Sequence, residues 1–158
     1  MFKNIRFAQE KDIEKLLDLL HQIREFHCDF RPDIFVRGCT KYSSEELKDV
    51  IKDKNREIYV AVDENDNVIG HLFLTIKNIA NPEHVARKEL YIDDICVDEN
   101  IRNSGIGRVF MEFAEKRARE LDCDFLTLNS WAGNDCAEHL YKSCVMTPRV
   151  TSFEKKLK

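Results

Sequence analysis

The spacing of apolar residues alternates along the chain between a period of two and a period of three to four, and each change marks an element. Phe2, Ile5 and Phe7 predict a strand over residues 2–7. Ile13, Leu16, Leu17, Leu20, Ile23 and Phe26 fall on one helical face and predict a helix from Glu10 to about Phe26. Residues 28–42, with Pro32 and Gly38, read as irregular. Ser43 followed by Glu46 is a capping box, so a second helix opens there with Leu47, Val50 and Ile51 turned inward.

Residues 57–62 and 68–76 are rich in β-formers and flank Asn65-Asp66-Asn67, which predicts an antiparallel hairpin. A loop with Asn81-Pro82 leads to a strand over Leu90–Val97. Residues 98–104 form a loop, and Gly105–Leu121 a helix with Phe110, Phe113 and Ala114 near one face. A short apolar strand over Phe125–Leu128, a helix over Asn134–Ser143 and a final strand over Val150–Leu157 complete the series. The order β-α-α-β-β-β-α-β-α-β predicts an α/β chain of the α+β type, a mixed sheet with helices on both faces. The unit from Leu90 to Leu128 is expected to be parallel.

The 158 residues suit one domain, 1–158. With 43% hydrophobic and 34% charged residues the composition is that of an ordinary globular chain. No apolar run approaches the roughly 18 residues needed to span a bilayer, so no membrane partner is expected. The first residues do not read as a signal peptide, which makes the cytoplasm the expected compartment. A net charge of −4 argues against nucleic acid and mildly favours cationic substrates. The six cysteines form no C-x-x-C pair and no His cluster accompanies them, so no metal is expected. Cys96 and Cys123 read as core residues.

Candidate chemistry concentrates at the junction of strand 90–97 with the helix that follows. Gly105 and Gly107 let the backbone turn tightly and approach a ligand closely. The loop amides and the first free amides of the helix then converge on one point, which suits an anion. Arg102 and Arg108 add positive charge there. Glycines also serve plain turns, so the junction alone leaves both readings open. It is not a dinucleotide-binding loop, since the third glycine is absent, nor a P-loop, since no Gly-Lys-Ser/Thr follows.

Arg102-x-x-Gly105-x-Gly107 resembles the Arg/Gln-x-x-Gly-x-Gly/Ala signature of the GCN5-related N-acetyltransferase (GNAT) superfamily. Leu128-Asn129-Ser130-Trp131, then Asn134, Ala137 and Leu140-Tyr141, resemble that superfamily's second coenzyme A-binding block. The element order over the whole chain is similar to its fold. The resemblance implies acetyl-CoA as co-substrate. It implies that the backbone of Ile95, Cys96 and Val97 meets the pantetheine arm and thioester. The amides of Asn103, Ser104, Gly105, Ile106, Gly107 and Arg108 would hold the pyrophosphate. Asn129, Asn134 and Ala137 would line the cofactor, and Tyr141 would protonate the departing thiolate. Asn134 also suits a helix N-cap, and Trp131 reads as a packing aromatic beside the cleft.

A Lys-type amine has a pKa near ~10.4, so deprotonating it at pH 7 costs about 4.6 kcal/mol, and a carboxylate can take that proton. Leu90–Val97 resembles the acidic strand of the spermidine/spermine and thialysine acetyltransferases, where the first acid of the pair acts in proton removal; here that is Asp93. Adjacent strand residues point to opposite faces, so only one of Asp93 and Asp94 is expected to face the cleft. The superfamily follows its Tyr with Glu-x-x-Gly-Phe, whereas Tyr141 is followed by Lys142-Ser143-Cys144-Val145-Met146, so the glycine that ends the helix is missing. The expected activity is acetyl transfer to a primary amine of a small molecule in a ternary complex, with a homodimer expected from the superfamily's habit. An acyl-CoA-binding module without turnover and a protein N-terminal or lysine acetyltransferase are the alternatives.

Overall fold

A computed structural model describes residues 1–158. It contains β1 (Phe2–Phe7), α1 (Ile13–Phe30), α2 (Ser44–Lys52), β2 (Arg56–Asp63), β3 (Val68–Ile79) and β4 (Arg87–Val97). These are followed by α3 (Ile106–Glu120), β5 (Phe125–Leu128) and α4 (Asp135–Ser143). The five strands form one sheet in the order β1-β2-β3-β4-β5, antiparallel except for the parallel pair β4–β5. Alternation along the strands sorts two cores. Ile58, Val60 and Phe73 pack with Leu16, Leu20 and Leu47 under α1 and α2. Leu72, Leu74, Leu90 and Ile92 pack with Ile106, Phe110 and Ala114 under α3, with Leu140 and Tyr141 of α4 alongside. No helix is long and apolar enough to cross a membrane.

Several boundaries differ from the periodicity, each for a local reason. A 3-10 turn, Glu10–Asp12, precedes α1 because the buried Asp12 carboxylate accepts from the Gln9 amide at 2.8 Å and from the Arg6 guanidinium at 2.7 and 3.0 Å. At its other end α1 runs on through the buried Cys28 to Phe30 and stops at Arg31, the residue before Pro32, which proline disfavours in the helical region. A second 3-10 turn, Glu99–Ile101, lies in the predicted loop 98–104. The capping box is present, with the Glu46 amide donating to Ser43 Oγ at 3.2 Å and the Ser43 amide to Glu46 at 2.7 Å. Cys96 is buried, and Cys123 is only partly so.

The predicted final strand over Val150–Leu157 does not form, and residues 144–158 carry no regular element. Their apolar side chains find no sheet face: Val150, Phe153 and Leu157 are 82, 91 and 84% exposed. Val150, Phe153 and Leu157 are spaced three and four apart, so they lack the period-two pattern that would give the segment one apolar strand face, and β5 keeps an open edge.

The missing glycine after Tyr141 has a specific replacement. The Met146 amide donates to the Tyr141 carbonyl and the Val145 amide to Lys142, both hydrogen bonds of a Schellman cap. Val145 stands at the left-handed position with φ +62°. A β-branched residue is disfavoured there by roughly 1–2 kcal/mol, against about 0.5–1 kcal/mol for glycine's extra chain entropy. Val145→Gly is therefore expected to stabilise the protein by about 0.5–1 kcal/mol, a rise in Tm of roughly 1–4 °C by calorimetry. An unchanged or lower Tm would contradict this account of the cap.

Candidate active site

β4 is longer than its neighbour β5, and the site begins where the two part. Its last pairing with β5 is Ile92 to Leu128, after which residues 93–97 have no strand on that side. At the same point the register against β3 slips: Leu74 opposes Ile92 and Phe73 opposes Asp94, so Asp93 is an extra, bulged residue. Ile92 and Ile95 both lie on the α3 face. The two acids between them both turn to the α1 face, where Lys41 Nζ meets Asp93 Oδ2 at 2.8 Å and Asp94 Oδ2 at 3.8 Å. The expectation that only one acid faces the cleft is corrected: the bulge breaks the alternation on which it rested.

Asp94 has a second partner that the sequence reading missed. His71 of β3 is fully buried, and its Nε2 lies 2.9 Å from Asp94 Oδ1. Its Nδ1 has no hydrogen-bond partner, so the neutral tautomer that donates from Nε2 leaves no buried proton unmet. The available signal is a histidine inside the otherwise apolar run Val68–Leu74. Burial pushes the Asp94 pKa up, but the hydrogen bond from His71 and the positive charge of Lys41 outweigh it and hold it below the ordinary value. Burial likewise opposes the Lys41 ammonium, and the hydrogen bond to Asp93 with the charges of both acids raises its pKa. A depressed carboxyl stabilises the fold above the ordinary carboxylate range, and that contribution is lost as pH falls through the folded value.

The predicted phosphate cradle adjoins this split. Asn103 at φ +63° and Gly105 at φ +83° turn the chain into α3. No backbone amide from Arg102 to Arg108 donates a hydrogen bond within the protein, and Asn103, Ser104, Gly105 and Arg108 are exposed. A run of free donors at a helix N-terminus fits a diphosphate. Gly107 faces α4 closely: a Cβ there would meet Leu140 Cδ2 at 3.2 Å. The two arginines do not point at the cradle. The Arg102 guanidinium sits over the Phe26 ring at 5.5 Å, and Arg108 donates to Ser143 Oγ at 3.0 Å, tying α3 to α4.

The other predicted residues scatter around the same opening. Ile95 and Val97 pack toward α3, while the Cys96 thiol is buried under α1, 3.7 Å from the Leu19 carbonyl. Burial pushes that thiol up to about 12, so it is no thiolate. Asn134 caps α4, its Oδ1 accepting from the Ala137 amide at 3.2 Å. Asn129 is exposed just past β5. Tyr141 is half-buried; burial, then the Asp94 charge, push its hydroxyl up to about 12, so it carries its proton at neutral pH. Trp131 packs edge-on against Phe35 at 5.2 Å, which brings the 31–43 segment across the α1 side of the opening. A hollow of about 570 Å³ beside Arg31, Ile34 and Glu154 contains none of these residues.

Residues 20–144 match the profile of the Acetyltransferase (GNAT) family. An uncharacterized N-acetyltransferase encoded in the pepI 3′ region of Lactobacillus delbrueckii subsp. lactis is 32% identical over 80 residues. The match takes in 51% of this chain and 46% of that relative, so the chain spans about half the length of the curated relative it matches. A mutant of the BH1408 protein from Bacillus halodurans superposes with a TM-score of 0.94 at 27% identity, over 99% of this chain and all (100%) of the other. An aminoglycoside acetyltransferase from an uncultured soil metagenomic sample superposes with a TM-score of 0.71 at 24% identity, over 98% of this chain and 96% of its own, a likeness of fold.

In a His71→Phe variant, Asp94 loses the donor that favours its ionised form. Its carboxyl carbon, followed by NMR, is expected to titrate at higher pH than in the parent. An unmoved titration would mean that His71 does not hold Asp94.

Proposed function

The chain belongs to the acetyltransferase (GNAT) family, and from that premise we propose that it transfers an acetyl group from acetyl-CoA to the primary amine of a small molecule. The observation that carries the reading is the run of free amides from Arg102 to Arg108, set beside the parting of β4 and β5. Those amides and the α3 N-terminus hold the diphosphate of the donor. The unpaired β4 edge at Ile95, Cys96 and Val97 supplies backbone groups for its pantetheine arm, as strand edges do for any extended ligand. Asn129, Asn134 and Ala137 flank that arm.

Acetyl-CoA supplies an activated thioester, so the protein needs no nucleophile of its own. Its residues have three tasks: to attract the acceptor, to take its proton and to protonate the leaving thiolate. Asp93 and Asp94 supply the first two, because an ammonium drawn to the pair must lose a proton before it can attack. The resemblance gave the base role to Asp93; the His71 bond makes Asp94 the better-held acid of the two. Tyr141, protonated and without a hydrogen-bond partner inside the protein, suits the third task.

The Phe35–Trp131 contact favours a small acceptor over a protein chain, because it narrows the α1 side of the opening. Acidic residues at that opening favour cationic amines. A steady-state assay of coenzyme A release over a panel of amines tests the reading. Tyr141→Phe is expected to lower kcat about a hundredfold with the acetyl-CoA KM unchanged, the size typical of a lost general acid. Equal kcat in the variant would remove Tyr141 from the proton path. Acetyl-CoA binding with no transfer to any amine would instead mark a binding module.

A further inference from the structure

The ammonium of Lys41 stands where the proposed reading puts the acceptor's own ammonium. It is a primary aliphatic amine, 2.8 Å from Asp93 and 3.8 Å from Asp94, on the face opposite α3 and α4. Lys41 belongs to no helix or strand: it lies in the irregular segment 31–43. The backbone amides of Cys39, Thr40, Lys41 and Tyr42 donate no hydrogen bond within the protein, so no ladder fixes this stretch. What holds the Lys41 side chain is its pair of carboxylates and a contact over the Tyr42 ring at 5.5 Å. The acids, by contrast, are fixed by the strand, and Asp94 is also fixed by His71.

We infer that Lys41 is a tethered occupant of the acceptor-amine subsite, an internal cation that an incoming aliphatic ammonium must displace from Asp93 and Asp94. The inference rests on the proposed reading of that face as the acceptor side. Its physical content is a competition. The two carboxylates bear two negative charges and Lys41 one positive, and a partly exposed ion pair is weak enough to exchange. An acceptor with a single ammonium gains only what Lys41 gives up. An acceptor that makes further contacts displaces it, so Lys41 sets a threshold against simple monoamines.

The test uses the whole protein and n-butylammonium chloride as the probe, with the Asp93 and Asp94 carboxyl carbons observed by NMR. Lys41→Met, which keeps the side chain's length without its charge, is expected to bind the probe about tenfold more tightly than the parent. Lys41→Arg, which keeps the charge, is expected to bind it as weakly as the parent. Adding Asp93→Asn to Lys41→Met is expected to reverse most of the gain. Equal affinity in Lys41→Met and the parent, or a gain that survives Asp93→Asn, would overturn the inference. The titration needs no turnover: absence of acetyl transfer would sink the proposed function while these affinities remain readable. Transfer without the Lys41→Met gain would sink this inference alone.

Discussion

The extra residue in β4 is the constraint on which the site depends. A regular strand would place Asp93 and Asp94 on opposite faces and send one of them into the core under α3. The bulge at Asp93 keeps Leu90, Ile92, Ile95 and Val97 on the α3 face while turning both acids to the other side. It occurs where β4 loses β5 as a neighbour, since their pairing ends at Ile92 and Leu128. A paired central strand could not offer free backbone groups there. One local irregularity thus concentrates charge on one side of the sheet, beside the gap left where β5 ends.

The surrounding elements make sense as responses to that gap. α3 begins directly beyond it and aims its free amides at one end. α4 packs along the other wall through Leu140 and Tyr141, and its Schellman cap fixes the chain after Tyr141 without the customary glycine. On the opposite face the end of α1 and the 31–43 segment approach the loop after β5 through Phe35 and Trp131. The proposed donor and acceptor would therefore meet from opposite sides of the sheet. Asp94 lies close enough to Tyr141 for its charge to act on the hydroxyl, which keeps the two proposed proton-handling groups within one electrostatic neighbourhood.

What was legible in the sequence was local. The turn from Arg102 to Gly107 into α3 and the α2 capping box are short-range features whose residues dictate their own geometry, and both form where expected. Apolar patterning placed all five strands of the sheet and failed where a partner decides the outcome. The Asp93–Asp94 orientation depends on register against β3, which no single strand encodes. The tail over 150–157 carries apolar residues but no period-two face, and it leaves the β5 edge unpaired. Lys41 meets Asp93 across 52 positions of chain, and His71 meets Asp94 across 23. Such contacts are set by the fold, and only the histidine inside an apolar run hints at one of them.

The central claim is that the amides of Arg102–Arg108 form the donor's diphosphate site. Titrating the nitrogen-labelled protein with coenzyme A and following its amide resonances tests it directly. The account predicts that the amides from Asn103 to Arg108 shift together, with Ile95 and Val97 following, and that inorganic sulfate moves the first group but not the second. Saturation with coenzyme A that leaves Asn103–Arg108 unmoved would contradict it.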